Sequence, residues 1–201
     1  MITSGSLQAL DLVNGILLTR GDTIITEAET YQGALNRWSR RGINAVGVAL
    51  DRDGMRMDAL AAALDDLQRR NIRPKYIYTV PTVQNPTGTI MPEERRMELL
   101  KLSEEHCVPI FEDDCYADLT WEGLRPPALH AMSKTGGVIH IGSFSKSVAQ
   151  YCIRANPFDG AGKRLRTTAP GIGKRHQDSA LVMHDERGRS IAGSRDNREP
   201  C

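Results

Sequence analysis

The stretch KYIYTVPTVQNPTGTIMPEERRMELLKLSEEHCVPIFEDD, Lys75 to Asp114, reads in order as strand, turn, helix and strand. KYIYTV is a β-prone run, and the Pro, Asn and Gly of PTVQNPTGT interrupt it. A helix opens with Pro92, Glu93 and Glu94, because proline suits the first helical position and acids suit the positive end of the helix dipole. It ends near His106, and VPIFED then has the compact apolar character of a strand buried on both faces. Strand, helix and strand at this spacing make a βαβ unit with parallel strands.

The same alternation extends in both directions. Upstream, Leu7, Leu10, Leu17 and Leu18 recur at helical spacing between Gly5 and Thr19, and the turn Gly21-Asp22 leads into the β-prone TIIT. Tyr31 to Arg41 forms a second helix stopped by Gly42, followed by the strand-like NAVGVAL and the turn DRDG. Met57, Leu60, Ala61, Leu64 and Leu67 then share one helix face, with Asp58 in the first turn and Arg69 and Arg70 in the last. Downstream, VIHIGS is a further strand. The fold class this predicts is α/β: three layers, α/β/α, around a mostly parallel sheet, with ligands gathered beyond the carboxyl ends of the strands.

The chain has 201 residues, of which 40% are apolar, enough to fill a core. Its formal net charge of +1 gives no reason to expect nucleic acid or an acidic membrane as partner. That average hides a division. Residues 1–150 carry 16 Lys/Arg against 19 Asp/Glu, a charge of −3, and residues 151–201 carry 10 against 6, a charge of +4. The last 51 residues also contain seven Leu, Ile, Val or Phe and no sustained period, the composition of an irregular or disordered tail. The expected division is therefore 1–149 for the α/β unit and 150–201 for an unrelated-looking basic tail.

Cys107, Cys115, Cys152 and Cys201 have no C-x-x-C spacing, which predicts free thiols and a cytoplasmic location. No apolar run reaches 18 residues, and MITSGSLQAL lacks a basic segment followed by an apolar one, so neither a membrane span nor a signal peptide is expected. His106, His130 and His140 show no metal-ligand spacing, and Trp38 and Trp121 read as packing anchors.

Three short segments fall where strands should end: QNPTG (Gln84 to Gly88), EDDCY (Glu112 to Tyr116) and GSFSK (Gly142 to Lys146). Taken singly each has an ordinary reading, as a turn, a solvated strand end and a solvated lysine among serines. Together they supply an amine for a carbonyl cofactor, a carboxylate for a pyridine nitrogen, and a phenol and an amide for a ring oxygen. Serine hydroxyls and the N–H groups of a helix start can hold a phosphate. These are the requirements of pyridoxal phosphate.

NPTG, the D-x-x-Y of Asp113 and Tyr116, and the S-x-S-K ending at Lys146, in this order, resemble the class I/II aminotransferases of the fold type I pyridoxal-phosphate family over about residues 2–149. The resemblance implies that the α/β unit is part of the family's cofactor-binding large domain and that the activity is transfer of an amino group from an amino acid to a 2-oxo acid. It implies Lys146 as the lysine that binds the cofactor as a Schiff base and then acts as the base moving the substrate proton. It implies Asp113 as the partner of the pyridine nitrogen, with Tyr116 and Asn85 hydrogen-bonding the ring hydroxyl oxygen. Strand alternation lets only one of Asp113 and Asp114 face the site, and the spacing to Tyr116 selects Asp113. Gly5 and Ser6 match the phosphate-holding helix start, Ser143 a further phosphate ligand and Ser145 a weaker one, and Tyr31 the aromatic that stacks on the ring. Leu7 stands where close relatives often have glutamine. An intact member of the family is expected to be a homodimer.

Past Lys146 the run SKSVAQYCIRAN departs from the family's S-K-x-x-x-P-x-L-R-x-G, with Gln150 for proline and Ile153 where arginine is usual, Arg154 following one place later. No later segment resembles the small domain that supplies an arginine to the substrate carboxylate. The expectation is a truncated site, with residues from about 150 arising from a frame change or equivalent truncation. A similar domain also occurs behind a winged helix-turn-helix in bacterial transcription regulators, so a ligand-sensing module, or an inactive remnant, stands as the alternative.

Overall fold

The computed structural model describes residues 2–120 and 125–146, together with the backbone of 181–182. A short strand β1 (Ile2–Thr3) leads into α1 (Ser6–Leu17), β2 (Thr23–Glu27), α2 (Gln32–Arg41) and β3 (Asn44–Val48). The turn DRDG joins β4 (Leu50–Asp51) to β5 (Gly54–Met55) as an antiparallel hairpin. Then follow α3 (Met57–Arg69), β6 (Ile77–Thr79), α4 (Glu93–Glu105), β7 (Ile110–Asp114), a 3-10 turn (Ala117–Leu119), α5 (Leu129–Met132) and β8 (Val138–Gly142). The expected elements are present with ends moved by one to three residues. Gly42 closes α2 at φ 68°, the left-handed conformation that glycine adopts without steric cost.

Five strands form one parallel sheet in the order β3-β2-β6-β7-β8. The chain steps from β2 outward to β3, then crosses back to lay β6, β7 and β8 on the other side of β2. The direction reverses between β2 and β6, and in an open parallel sheet that reversal opens a crevice beyond the carboxyl ends of the strands.

Side chains alternate across each strand, so consecutive residues enter opposite layers. Ile24, Tyr76, Tyr78, Phe111 and Ile141 pack with Ala9, Leu10 and Val13 of α1 and Ala34 and Trp38 of α2. Ile25, Ile77, Ile110 and Val138 pack with Leu60, Leu64 and Leu67 of α3, Leu99 of α4 and Leu129 of α5. Each fully buried aliphatic side chain contributes about 1.5–3 kcal/mol, and both cores are built from such residues. The sheet is thus covered on both faces, as expected from its nearly continuous apolar strands.

Leu181–Val182 form a short strand, β9, antiparallel to β1. The rest of the proposed tail segment, with Gln150, Ile153 and Arg154, lies outside the described residues, as does Trp121. Cys115 is a free buried thiol, whereas Cys107 is disulfide-bonded, contrary to the free-thiol reading.

Candidate active site

β7 ends in Glu112, Asp113 and Asp114, all buried, and alternation sends the middle one toward the layer of α1 and α2. There the Tyr78 hydroxyl donates to Asp113 Oδ2 at 2.6 Å, while Oδ1 has no hydrogen-bond partner among the described residues. Burial raises the Asp113 pKa above 3.8, against the Cys115 thiol, the Tyr78 hydroxyl and the Cys115 backbone N–H, which favour the anion. A buried carboxylate oxygen left without a donor is costly, and such groups are common where a ligand is expected.

The turn after β6 brings Asn85 to the same end of the sheet. Its Nδ2 donates to the Tyr116 hydroxyl at 3.3 Å, so the amide and phenol from two loops meet directly. The turn is closed by a bridge between Thr82 and Ile90 and carries Val83 at φ 54°. A β-branched residue in that region is strained by roughly 1–3 kcal/mol, so its surroundings must hold it there. Two groups that sequence reasoning missed do so. Arg96, fully buried in α4, donates to the carbonyls of Pro81 (3.0 Å), Met91 (2.9 Å) and Pro127 (3.2 Å) and to Thr82 Oγ1 (2.9 Å). Glu27, at the end of β2, accepts from Thr30 Oγ1, Thr79 Oγ1, the Val80 N–H and Gln84 Nε2, all between 2.7 and 3.0 Å. Gln84 Oε1 in turn accepts the Thr87 N–H at 2.9 Å, so its side chain straps the turn that carries Asn85. Burial raises the Glu27 pKa, opposed by its four donors. This carboxylate spans the β2/β6 reversal and pins one wall of the crevice.

Tyr31 precedes α2, and its ring lies over Gly33, where a Cβ would come within 2.4 Å of the ring's Cζ. Gly33 is therefore a requirement of the tyrosine's placement. Gly5 precedes α1 at φ 100°, and α1 has no side-chain cap, so the positive end of that helix is not closed by its own sequence. After β8, the Ser143 hydroxyl accepts the Ser145 N–H at 3.2 Å, and Lys146 is exposed with Nζ 5.9 Å from the centre of the Tyr116 ring.

These residues converge. Ser6, Tyr31, Asn85, Asp113, Tyr116, Ser143 and Lys146 line one cavity of about 50 Å³, together with Leu7, Val80 and Cys115. Gly5, which precedes Ser6, is not among the lining residues. Ser145 is buried and is not among the lining residues, because the turn after β8 directs Ser143 and Lys146 to the cavity instead. A larger recess of about 280 Å³ sits at the opposite ends of β6 and β7, lined by Leu64, Ile72, Cys107 and Val108 among others. That recess, though larger, gathers no comparable set of amine, carboxylate and phenol.

On the other face of β7, Glu112, Asp114 and His140 have ligand atoms within 4.8 Å of one another. Sequence spacing could not reveal this, because parallel pairing sets Glu112 opposite His140. Glu112 already accepts the N–H groups of Leu129 and His130 and the His140 Nδ1, and Asp114 Oδ2 is paired with Arg125. With two guanidinium groups beside it, the cluster is neutralised from within the chain.

The cavity residues fit pyridoxal phosphate in kind. The unpartnered Asp113 oxygen suits a protonated ring nitrogen, the Asn85–Tyr116 pair a ring oxygen, and Ser6, Ser143 and the uncapped α1 start a phosphate.

An open parallel sheet with a lysine and an aspartate sharing one cavity at its reversal point describes a cofactor-binding α/β unit. The family model for aminotransferase class I and II matches residues 1–155, and the chain belongs to that family. It is 40% identical to the aromatic-amino-acid aminotransferase 1 of Thermococcus litoralis over 149 residues, 74% of this chain and 36% of that protein. It is 38% identical to an HTH-type transcriptional regulator, YisV, of Bacillus subtilis over 149 residues, which are 74% of this chain and 30% of the regulator. The crystal structure of Pyrococcus horikoshii kynurenine aminotransferase in complex with PMP superposes with a TM-score of 0.70 at 40% identity, over 73% of this chain and 36% of that one. The chain thus spans about a third of the length of these relatives. Among the described residues no helix is long and apolar enough to cross a membrane.

Proposed function

We propose that this chain carries the pyridoxal-phosphate-binding part of an aminotransferase that moves an amino group from an amino acid to a 2-oxo acid. The observation that carries the reading is the single cavity in which Lys146, Asp113, Asn85, Tyr116, Tyr31, Ser6 and Ser143 meet. When bound, the cofactor supplies an electron sink for the carbon next to an amino group. The chain's own residues would do the rest. Lys146 Nζ provides the amine for covalent attachment and, once released, a base that takes and returns a proton at that carbon. Asp113 holds a proton at the ring nitrogen, the Asn85 amide and Tyr116 phenol orient the ring oxygen, and Tyr31 covers the ring face. Ser6, Ser143 and the start of α1 would receive the phosphate. Amino acid and 2-oxo acid substrates, a homodimer of the intact family member and a cytoplasmic location belong to the same reading.

The test is covalent attachment. Incubating the chain with pyridoxal phosphate, fixing the link with borohydride and mapping the modified peptide should place the label at Lys146, and Lys146→Ala should lose it. Equal labelling of Lys75, Lys101 and Lys134 would count against the reading.

The likeness to the Bacillus subtilis regulator supports a second reading, in which the same cavity binds cofactor or ligand within a sensor and turns nothing over. Coding sequence for a winged helix-turn-helix directly upstream would select it. Catalysed amino transfer by the full-length protein would reject it.

A further inference from the structure

Tyr78 belongs to no sequence motif, yet its hydroxyl hydrogen-bonds the Asp113 carboxylate directly. It is fully buried in β6, with its hydroxyl 2.6 Å from Asp113 Oδ2. Parallel register sets Tyr78 opposite Phe111, and Asp113 follows two residues later on the same face of β7. The ring is wedged edge-on between Trp38, 5.0 Å between centroids, and Phe111, 5.6 Å, so the hydroxyl is held in its direction by packing.

We propose that Tyr78 is a positioning residue: its phenol fixes the Asp113 carboxylate and weakens it as a base, so that a proton shared with a ring nitrogen rests on the nitrogen. This rests on the reading of the cavity as a pyridoxal phosphate site. A buried carboxylate with no donor would compete for that proton and keep it, leaving the ring neutral and a poor electron sink. One strong donor on Oδ2 shifts the balance and leaves Oδ1 for the ring. The other groups acting on Asp113 are Cys115, whose thiol and N–H favour the anion, and Asp114, whose charge disfavours it. Tyr78 itself cannot serve as the acid. Burial, then the charge of Asp113, pushes its pKa well above 10, so it remains a donor at working pH. Tyr76 provides the contrast. It lies two residues earlier on the same face, but its hydroxyl donates to Asn14 Oδ1 at 2.7 Å and accepts the Trp38 Nε1–H at 2.9 Å, with no carboxylate in contact.

The test uses the full chain loaded with pyridoxal phosphate labelled with 15N in the ring, read by the nitrogen chemical shift at fixed pH. Tyr78→Phe should move the shift toward the unprotonated value, by about a tenfold change in the ratio of the two forms, the size of one hydrogen bond to a charged group. Tyr76→Phe should leave it in place. Installing 3-fluorotyrosine at position 78 keeps the packing and strengthens the donor, so it should hold the shift at the protonated end. This arm decides the matter where the phenylalanine variant does not fold. Attachment at Lys146 with an unmoved shift in Tyr78→Phe, or a fluorotyrosine shift toward the unprotonated value, overturns the inference alone. Failure of the wild-type chain to attach cofactor overturns the underlying reading as well.

Discussion

Glu112 and Asp113 are neighbours on one strand, both buried, and they sit in opposite chemical situations. Glu112 faces the layer of α3, α4 and α5, where two backbone N–H groups and an imidazole bond its oxygens and Arg96 stands 3.9 Å away. Burial raises its pKa, but His140 and the two N–H groups more than compensate, and the net shift is downward from 4.5. Asp113 faces the layer of α1 and α2, where the neutral Tyr78 phenol donates to one oxygen, the other oxygen has no partner among the described residues, and burial raises the pKa. Asp114 lies between the two cases: one oxygen is paired with Arg125 and the other is unpartnered. The difference teaches how one strand can serve structure and chemistry together. A carboxylate whose oxygens are all bonded holds loops in place, and one left open at a cavity wall is available to a ligand.

Arg96→Met should break the structural side most severely. It removes the donor to three carbonyls and a hydroxyl and leaves Glu112 without its buried guanidinium, at a cost of about 3–5 kcal/mol in denaturant unfolding. A loss below about 1 kcal/mol would mean that the buried network is not what holds the Asn85 turn. The next comparison is between two isosteric amides. Glu112→Gln exchanges a buried anion whose oxygens are all hydrogen-bonded for a group that accepts at only one oxygen, and should cost about 2 kcal/mol. Asp113→Asn removes a charge that burial already disfavours, so stability should be unchanged or slightly raised, while retention of pyridoxal phosphate falls. Equal destabilisation by the two changes would erase the distinction between the faces.

Much of this arrangement was legible in residue order, because it depends on local pattern. The alternation of apolar strands with amphipathic helices such as Met57–Arg69 fixed the layers, and strand alternation together with the spacing to Tyr116 set Asp113 apart from Asp114. Motif spacing brought Asn85, Tyr116 and Lys146 together because each follows a parallel strand, and parallel strands end on the same side. What could not be read depends on register and reach. Glu27 meets Thr79 across 52 positions, Tyr78 meets Asp113 across 35, and His140 meets Glu112 across 28. The two tyrosines of KYIYTV look equivalent in sequence, and only the pairing of β6 with β7 gives one of them a carboxylate.

The smallest expected effect is a pH dependence, and it belongs to the structural face. Burial alone would lower the His140 pKa, but the Glu112 carboxylate, which takes its Nδ1 hydrogen bond at 2.8 Å, and the charge of Asp114 raise it above 6.5, with Arg125 opposing. A cation whose folded pKa is raised stabilises fully below its unfolded value, and that contribution is lost as pH rises through the folded value. Glu112, shifted the other way, contributes fully above 4.5 and loses its contribution as pH falls through its lowered folded value. Asp113, with its raised pKa, is increasingly unfavourable as pH climbs above 3.8. All three place the best stability on the mildly acid side of neutrality. The denaturant midpoint of the wild-type chain should therefore decline between about pH 6 and about pH 8, the range in which histidine titrates. His140→Gln should flatten that decline while leaving Tyr78, Asp113 and the cavity untouched. A wild-type midpoint that holds level over the same range would mean that His140 enters the fold neutral, with Glu112 satisfied by its backbone donors alone.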